Sequence, residues 1–217
     1  RNSNGPFLAD RIQQCDAYLC HRETVGDDAD AFLQALHRGL DAGADIVMST
    51  GAVSMGRYDF IPDALRAMGA RIVFHKVAMR PGKPILFAIL PNGSLYFGLP
   101  GNPISSAVGF RFFVQLAIQT MQGIASESPM HIPLAHSVVK KSGFTLLQKA
   151  KLTVDASGQL KVSLLKGQES FRIQPLLHSN AWALLPEDAD SLAENTLVEL
   201  YGLHGMGVTI SASTDES

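Results

Sequence analysis

The sequence predicts a three-layer α/β domain with a mostly parallel sheet over residues 1–124, followed by a small all-β, barrel-like domain over residues 125–217. Three observations predict it. Helical and extended patterns alternate up to Met121, and such alternation builds a mainly parallel sheet covered on both faces. Gly123 to Pro129 then forms a linker containing glycine, serine and proline. Beyond it only short extended runs remain, separated by turns such as Ser157-Gly158 and Gly167.

Asn4 to Gln14 reads as a helix, and Asp16 to Arg22 as a strand. Asp28 caps a helix that runs to about Ala42, with Ala31, Leu33, Ala35, Leu36 and Leu40 as its apolar positions and Gly43 ending it. Asp45 to Ser49 is a buried strand that runs into a glycine- and hydroxyl-rich loop, Thr50 to Gly56. A short helix from Ile61 to Met68 and a strand from Arg71 to Lys76 follow. Ile85 to Leu90 and Ser94 to Gly98 make a hairpin around Pro91-Asn92-Gly93. A long apolar helix from Pro103 to Met121 closes the domain. In the second domain Ile132 to Val139, Thr145 to Val154, Leu160 to Leu165, Trp182 to Leu185 and Leu197 to Tyr201 read as strands. A doubly wound domain usually opens with a strand. This one opens with a helix, so the chain reads as a fragment that starts inside a domain.

Composition narrows the function classes. The 217 residues are 46% hydrophobic and carry 18 basic and 20 acidic side chains, a net charge of −2. That balance argues against a nucleic-acid protein with a broadly basic surface. No apolar run approaches the roughly 20 residues of a membrane helix. Cys15 and Cys20 form neither a disulfide framework nor a CxxC pair, which suits a reducing, cytoplasmic setting. The seven histidines are scattered without a zinc pair. His75 stands beside Lys76, but no glycine-serine elbow accompanies it, which excludes serine hydrolysis of that type.

The chemistry concentrates in three turns. In Leu99-Pro100-Gly101-Asn102-Pro103, Asn102 is an N-cap, Pro103 suits the first helical position, and Gly101 lets a ligand approach the backbone. A helix start of this kind favours an anion, phosphate above all. Thr50 to Gly56 is a second such turn, at the carboxyl end of a strand, where α/β sheets bind ligands. Asp59 follows it directly. Lys76, Arg80 and Lys83 flank a loop stiffened by Pro81 and Pro84 and together form an anion clamp. A carboxylate among such groups suits a metal ion or a polarised water.

These turns resemble those of the molybdopterin molybdenumtransferase family, the MoeA-like proteins and the E domain of gephyrin. Ser49 through Asp59 resembles the family's S-T/S-G-G-V-S-x-G-x-x-D loop, with Ala52 at its second glycine. Lys76 through Pro84 resembles K-x-x-x-K-P-G-K-P, with Arg80 for the second lysine, and Leu99 through Ser105 resembles L-P-G-N-P-V-S. Asn2-Ser3-Asn4 is similar to the family's D-S-N helix start, and Asp27-Asp28 to its D-D pair. The second domain departs further. Gly143 through Lys149 stands where the family has G-R-x-E-F-x-R, and Gly167-Gln168-Glu169-Ser170 where it has a serine-rich G-Q-G-S.

The resemblance implies insertion of molybdate into adenylylated molybdopterin with release of AMP, dependent on Mg²⁺, in a cytoplasmic homodimer that can meet a partner adenylyltransferase. On its motifs, Asp59 and Asp28 are the catalytic candidates, and Asp59 is the metal ligand. Thr50, Gly51, Ser54, Gly56, Lys76, Arg80, Lys83, Pro100, Gly101, Asn102, Pro103 and Ser105 bind substrate. The family's first strand and its acidic T-G-D-E turn have no counterpart here, so this chain alone is expected to bind pterin phosphate without inserting metal. Two alternatives stand beside this reading: an adenylyltransferase of the same α/β fold, and a non-catalytic molybdopterin-binding scaffold.

Overall fold

The computed structural model describes residues 3–51, 60–205 and 207–212. The chain divides into two compact units, residues 1–77 with 82–124, and residues 78–81 with 125–217. Residues 78–81 thus belong with the second unit, although the sequence reading assigns them to the first.

In chain order the first unit contains helix α1 (Asn4–Gln14), α2 (Ala29–Asp41), strand β1 (Ile46–Thr50), α3 (Ile61–Ala67) and β2 (Arg71–His75). After β3 (Met79–Arg80), which lies in the second unit, come β4 (Leu86–Ile89), β5 (Leu95–Leu99) and α4 (Pro103–Gly109). A π-helical turn (Phe110–Val114) joins α4 to α5 (Gln115–Met121). The sheet order is β1-β5-β4-β2. Within this sheet, among the described residues, only the β1–β5 pair is parallel; β4 runs antiparallel to both β5 and β2. The expectation of a mostly parallel sheet is therefore corrected to a mixed one. The cause is the β4–β5 hairpin, whose short turn at Pro91 to Gly93 forces an antiparallel ladder.

Side chains alternate across the sheet. Tyr96 packs with Phe32, Leu36 and Leu65 beneath α2 and α3, while Phe97 and Leu99 pack with Leu8, Ile12, Phe110 and Val114 beneath α1 and the last helix. This makes three layers, as predicted. Gly109 lets the last helix lie close on the sheet, because a Cβ there would come within 2.9 Å of Leu99 Cδ2.

Asp16 to Arg22 is not a strand. The segment is pinned at its start, where Gln122 Nε2 donates to the carbonyls of Cys15 (2.9 Å) and Asp16 (3.3 Å). Tyr18 is 89% exposed, while Ala17 and Leu19 are half-buried against the core beneath the last helix, so the segment packs without pairing. Farther on, Glu23 accepts hydrogen bonds from Arg38 and meets His21. The Arg38 bond, then the His21 bond, holds the Glu23 carboxyl at about 2, below its ordinary 4.5. A depressed carboxyl contributes its stability above its unfolded value and loses it as pH falls through the folded one. This fully exposed pair is screened by water and contributes little to stability. Its signature is the titration itself. The Glu23 side-chain carbon shift should stay constant from pH 6 to 3.5, and Arg38→Met should bring its midpoint back up towards 4.5. A wild-type midpoint near 4.5 would refute the pairing.

The second unit contains β3 and strands β6 (Met130–Pro133), β7 (Val138–Val139), β8 (Thr145–Val154), β9 (Leu160–Leu164), β10 (Ala181–Leu185), β11 (Ser191–Leu192), β12 (Leu197–Gly202) and β13 (Ser211–Ala212). The ladder runs β6-β12-β10-β8, and β9 pairs with β8. A Leu134–Val162 bridge, with the Ala135 N–H donating to Val162 O at 2.8 Å, links the end of β6 back to β9. The sheet is thereby closed, the barrel-like form expected. Leu134, Ala150, Leu152, Val162, Ala183, Leu185 and Leu200 form its core.

Candidate functional site

The first unit's sheet brings several candidate residues to one edge. Because β4 opposes both neighbours, β1, β5 and β2 all point the same way. Their carboxyl ends, at Thr50, Leu99 and His75, share that edge with the amino end of β4.

The two glycine turns meet there. Thr50 pairs with Leu99, and the Gly51 N–H donates to Leu99 O at 3.1 Å. Gly51 has φ +90°, a left-handed conformation that glycine adopts without strain. A Cβ built on Gly101 would lie 3.5 Å from Gly51 Cα, so the backbones of the two turns are in contact across the strand pair.

Asn102 occupies the N-cap of α4 in an extended conformation, and Pro103 follows it at the start of the helix. Its backbone carbonyl accepts from Ser106 N at 2.9 Å, but its side chain makes no capping bond. The cap therefore leaves the amides of Ile104 and Ser105 unoccupied by the Asn102 side chain, as an incoming anion requires. Ser105 is 7% exposed, more buried than a surface contact would be. Ser106, fully buried, donates through Oγ to Pro100 O.

Asn4 is the residue that sequence reasoning missed as a brace, having noted it only as part of a helix start. Its Nδ2 donates to Gly101 O at 2.8 Å and to Ser106 Oγ at 3.3 Å. With both carbonyls of Pro100-Gly101 taken by side chains, the turn is held in place.

Lys76 ends β2 with φ +74°, and its N–H donates to Ile85 O at 2.9 Å. The Lys83 carbonyl accepts from Val77 N at 2.9 Å, which fixes the two lysines at the base of one returning loop. Arg80 lies on β3, which pairs in parallel with β8, and its guanidinium sits 4.0 Å from the Phe144 ring centroid, a cation–π contact. The structure therefore places two of the three expected clamp cations on the first unit and the third on the second unit.

Asp28 caps α2: its Oδ1 accepts from Ala31 N at 2.8 Å. That is a structural task. Ser54, Gly56 and Asp59 lie outside the described residues. Among the described residues no three His, Cys, Asp or Glu side chains cluster as a metal site.

The opposite face of the edge is quiet. Ser49 Oγ and Tyr96 OH share a hydrogen bond, and complete burial pushes the Tyr96 phenol well above its usual value.

Residues 1–120 match the family described as a probable molybdopterin binding domain, and residues 131–203 match the MoeA C-terminal region (domain IV). The chain is 38% identical over 204 residues to a molybdopterin molybdenumtransferase of Synechococcus elongatus, covering 94% of this chain and 49% of that protein. It is 33% identical over 189 residues to one from Staphylococcus aureus, covering 86% of this chain and 44% of that protein. The chain thus spans about half the length of these relatives. Among solved structures it is similar to a molybdenum cofactor biosynthesis protein of Pyrococcus furiosus, with TM-score 0.70, 22% identity, and 92% of this chain and 64% of that one covered. A molybdopterin biosynthesis MoeA protein of Pyrococcus horikoshii gives TM-score 0.69 at 22% identity, over 92% of this chain and 45% of that one. At that identity the two structures show the fold alone.

Proposed function

The chain belongs to the molybdopterin-binding family, its second unit matching the MoeA C-terminal region, and we propose that it carries the pterin-binding part of a molybdopterin molybdenumtransferase. The proposed reaction is insertion of molybdate into adenylylated molybdopterin with release of AMP. The observation that carries this reading is the contact between the Thr50-Gly51 and Pro100-Asn102 turns at the sheet edge where β2 also ends, just before Lys76. Backbone amides, a helix start and two cations on one edge suit the phosphate of the pterin. Thr50, Gly51, Pro100, Gly101, Asn102 and Pro103 provide the backbone cradle, and Lys76 and Lys83 the charge. Ser54, Gly56 and Ser105 extend the proposal. Arg80 is a further proposed anion contact, on the second unit.

The proposal extends to Mg²⁺ dependence resting on Asp59, a homodimer, a cytoplasmic location and supply of substrate by an adenylyltransferase. Leu116 and Met121 on α5 are large apolar residues left exposed, which supports self-association. No helix among the described residues is long and apolar enough to cross a membrane.

Calorimetric titration of the chain with molybdopterin tests the reading. Binding should weaken as salt rises, because the ligand is anionic and its partners are partly exposed. Gly101→Ala isolates the backbone approach. The new methyl would meet Gly51 Cα at 3.5 Å, an ordinary contact, so the thermal midpoint should hold within about 3 °C. The methyl would shield the turn's amides, and affinity should fall about 10-fold, the loss of one charge-assisted hydrogen bond. Unchanged affinity in that variant, or binding indifferent to salt, overturns the proposal. In the longer protein Asp59→Asn should abolish AMP release with molybdate and Mg²⁺ while molybdopterin still binds. Normal AMP release in that variant removes Asp59 from the chemistry.

A further inference from the structure

We propose that His75 is a ligand contact of this same site, donating through Nε2 to an anionic oxygen of the bound pterin phosphate. The proposal rests on the reading that the strand edge binds molybdopterin.

His75 Nε2 is buried and has no hydrogen-bond partner among the described residues. Its register partner on β4 is Leu86, an apolar residue with no exposure, so the neighbouring strand offers it no polar side chain. A buried polar atom left unmet destabilises the folded chain, and such atoms are few in native proteins. They persist where something outside the chain completes them.

The surroundings make neglect a poor explanation. Three polar side chains near this edge do find partners: Ser49 in Tyr96, Ser106 in Pro100 O, and Asn4 in Gly101 O and Ser106. His75 is the last residue of β2, at the same sheet edge as Thr50 and Leu99. The next residue, Lys76, holds a left-handed φ of +74°, unfavourable for any residue but glycine. An unmet donor and a strained backbone thus stand next to each other at a strand's carboxyl end, beside a lysine. Strain and unsatisfied groups that coincide at such a place are what a preorganised ligand site contains. The adjacent ammonium selects an anion, and a neutral imidazole carrying its proton on Nε2 can donate to one of its oxygens.

The test pairs two substitutions with one spectroscopic measurement. His75→Phe removes the unmet nitrogen and keeps the bulk. It should hold or raise the thermal midpoint, and it should weaken molybdopterin binding about 10-fold. His75→Gln places an amide N–H near the Nε2 position and should recover most of that loss. In the wild-type chain the His75 Nε2 resonance should shift when molybdopterin is added, a readout that needs no variant to fold. Equal affinity of wild type and His75→Phe, equal weakening in both variants, or an unmoved resonance overturns the role of His75. If the wild-type chain binds with the expected salt dependence, that failure leaves the wider reading standing. If the wild-type chain does not bind molybdopterin, both fall.

Discussion

Replacing Lys76 by glycine and Lys83 by alanine together should raise the stability of the first unit slightly and reduce molybdopterin affinity about 200-fold. The two effects have opposite signs for separate physical reasons. Lys76 holds a left-handed backbone at φ +74°, where a side chain costs roughly 1 kcal/mol and glycine costs nothing. Its N–H bond to Ile85 O, which glycine keeps, continues to close the loop. Lys83 contributes to the fold through its carbonyl, which accepts from Val77 N, and alanine keeps that carbonyl. Neither substitution therefore removes a hydrogen bond in which these backbone groups hold the loop. Each does remove an ammonium from the strand edge. A charge-assisted bond to a phosphate is worth about 1.5–3 kcal/mol, so losing two costs about 3 kcal/mol or more, near 200-fold in affinity. Paired measurements of thermal midpoint and calorimetric affinity decide it. A variant that binds normally shows that neither ammonium group meets the ligand. A variant that melts far below wild type shows that their side chains hold the loop.

The parts of this site that were legible in the sequence are those whose partners lie close along the chain. Gly101, Asn102 and Pro103 announce a helix start, and Thr50-Gly51 announces a turn after a strand. The hairpin around Pro91-Asn92-Gly93 was equally plain, yet its consequence for the sheet was not drawn, since alternating helices and strands suggested parallel neighbours. Asp16 to Arg22 looked like a strand, but it opens on a turn in which Asp16 has φ +52°. Periodicity cannot supply a second backbone to pair with, and the segment joins no ladder. Arg80 lies between Lys76 and Lys83 in a loop that resembles the family's K-x-x-x-K-P-G-K-P, and the sequence does not show that it pairs with a strand of the second unit. Its strand partner, Leu146, is remote, and a two-residue pairing on the side of β8 leaves no mark in composition. Asn4 braces a turn 97 residues away, and nothing local distinguishes it from any other polar residue at a helix start. His75 is hidden for the complementary reason, since an absent partner has no sequence signal at all.

Lys149→Met should be the most destabilising substitution in the second unit, lowering its thermal midpoint by about 12 °C or more. Lys149 lies on β8, at the final arginine of the family's G-R-x-E-F-x-R pattern, the one charged position of that pattern that stays charged here. The structure gives it a structural task. Its side chain is 1% exposed, and its Nζ donates to the carbonyls of Gly167 (2.8 Å), Arg172 (3.0 Å) and Glu169 (3.4 Å). Burial pushes its ammonium down from the ordinary lysine value, with Glu169 opposing that shift. Gln168 completes the clamp, accepting from Lys149 N at 2.9 Å and donating to Lys149 O at 2.8 Å and Leu165 O at 2.7 Å. One side chain thus gathers three carbonyls of a segment that has no regular structure between Gly167 and Arg172. Methionine fills the same channel but offers no donor. Each carbonyl left unmet costs about 1–3 kcal/mol, reduced where the segment can swing out to water, so about 3 kcal/mol is the expected total. For a unit of this size each kcal/mol moves the midpoint by roughly 4–8 °C. Lys149→Arg keeps the charge and the donors and should recover part of the loss, because a wider planar head fits the same three carbonyls less well. Hydrogen exchange should show residues 166–173 opening first in Lys149→Met, with the first unit's amides unchanged. A wild-type midpoint in Lys149→Met would mean that Gln168 alone holds the segment.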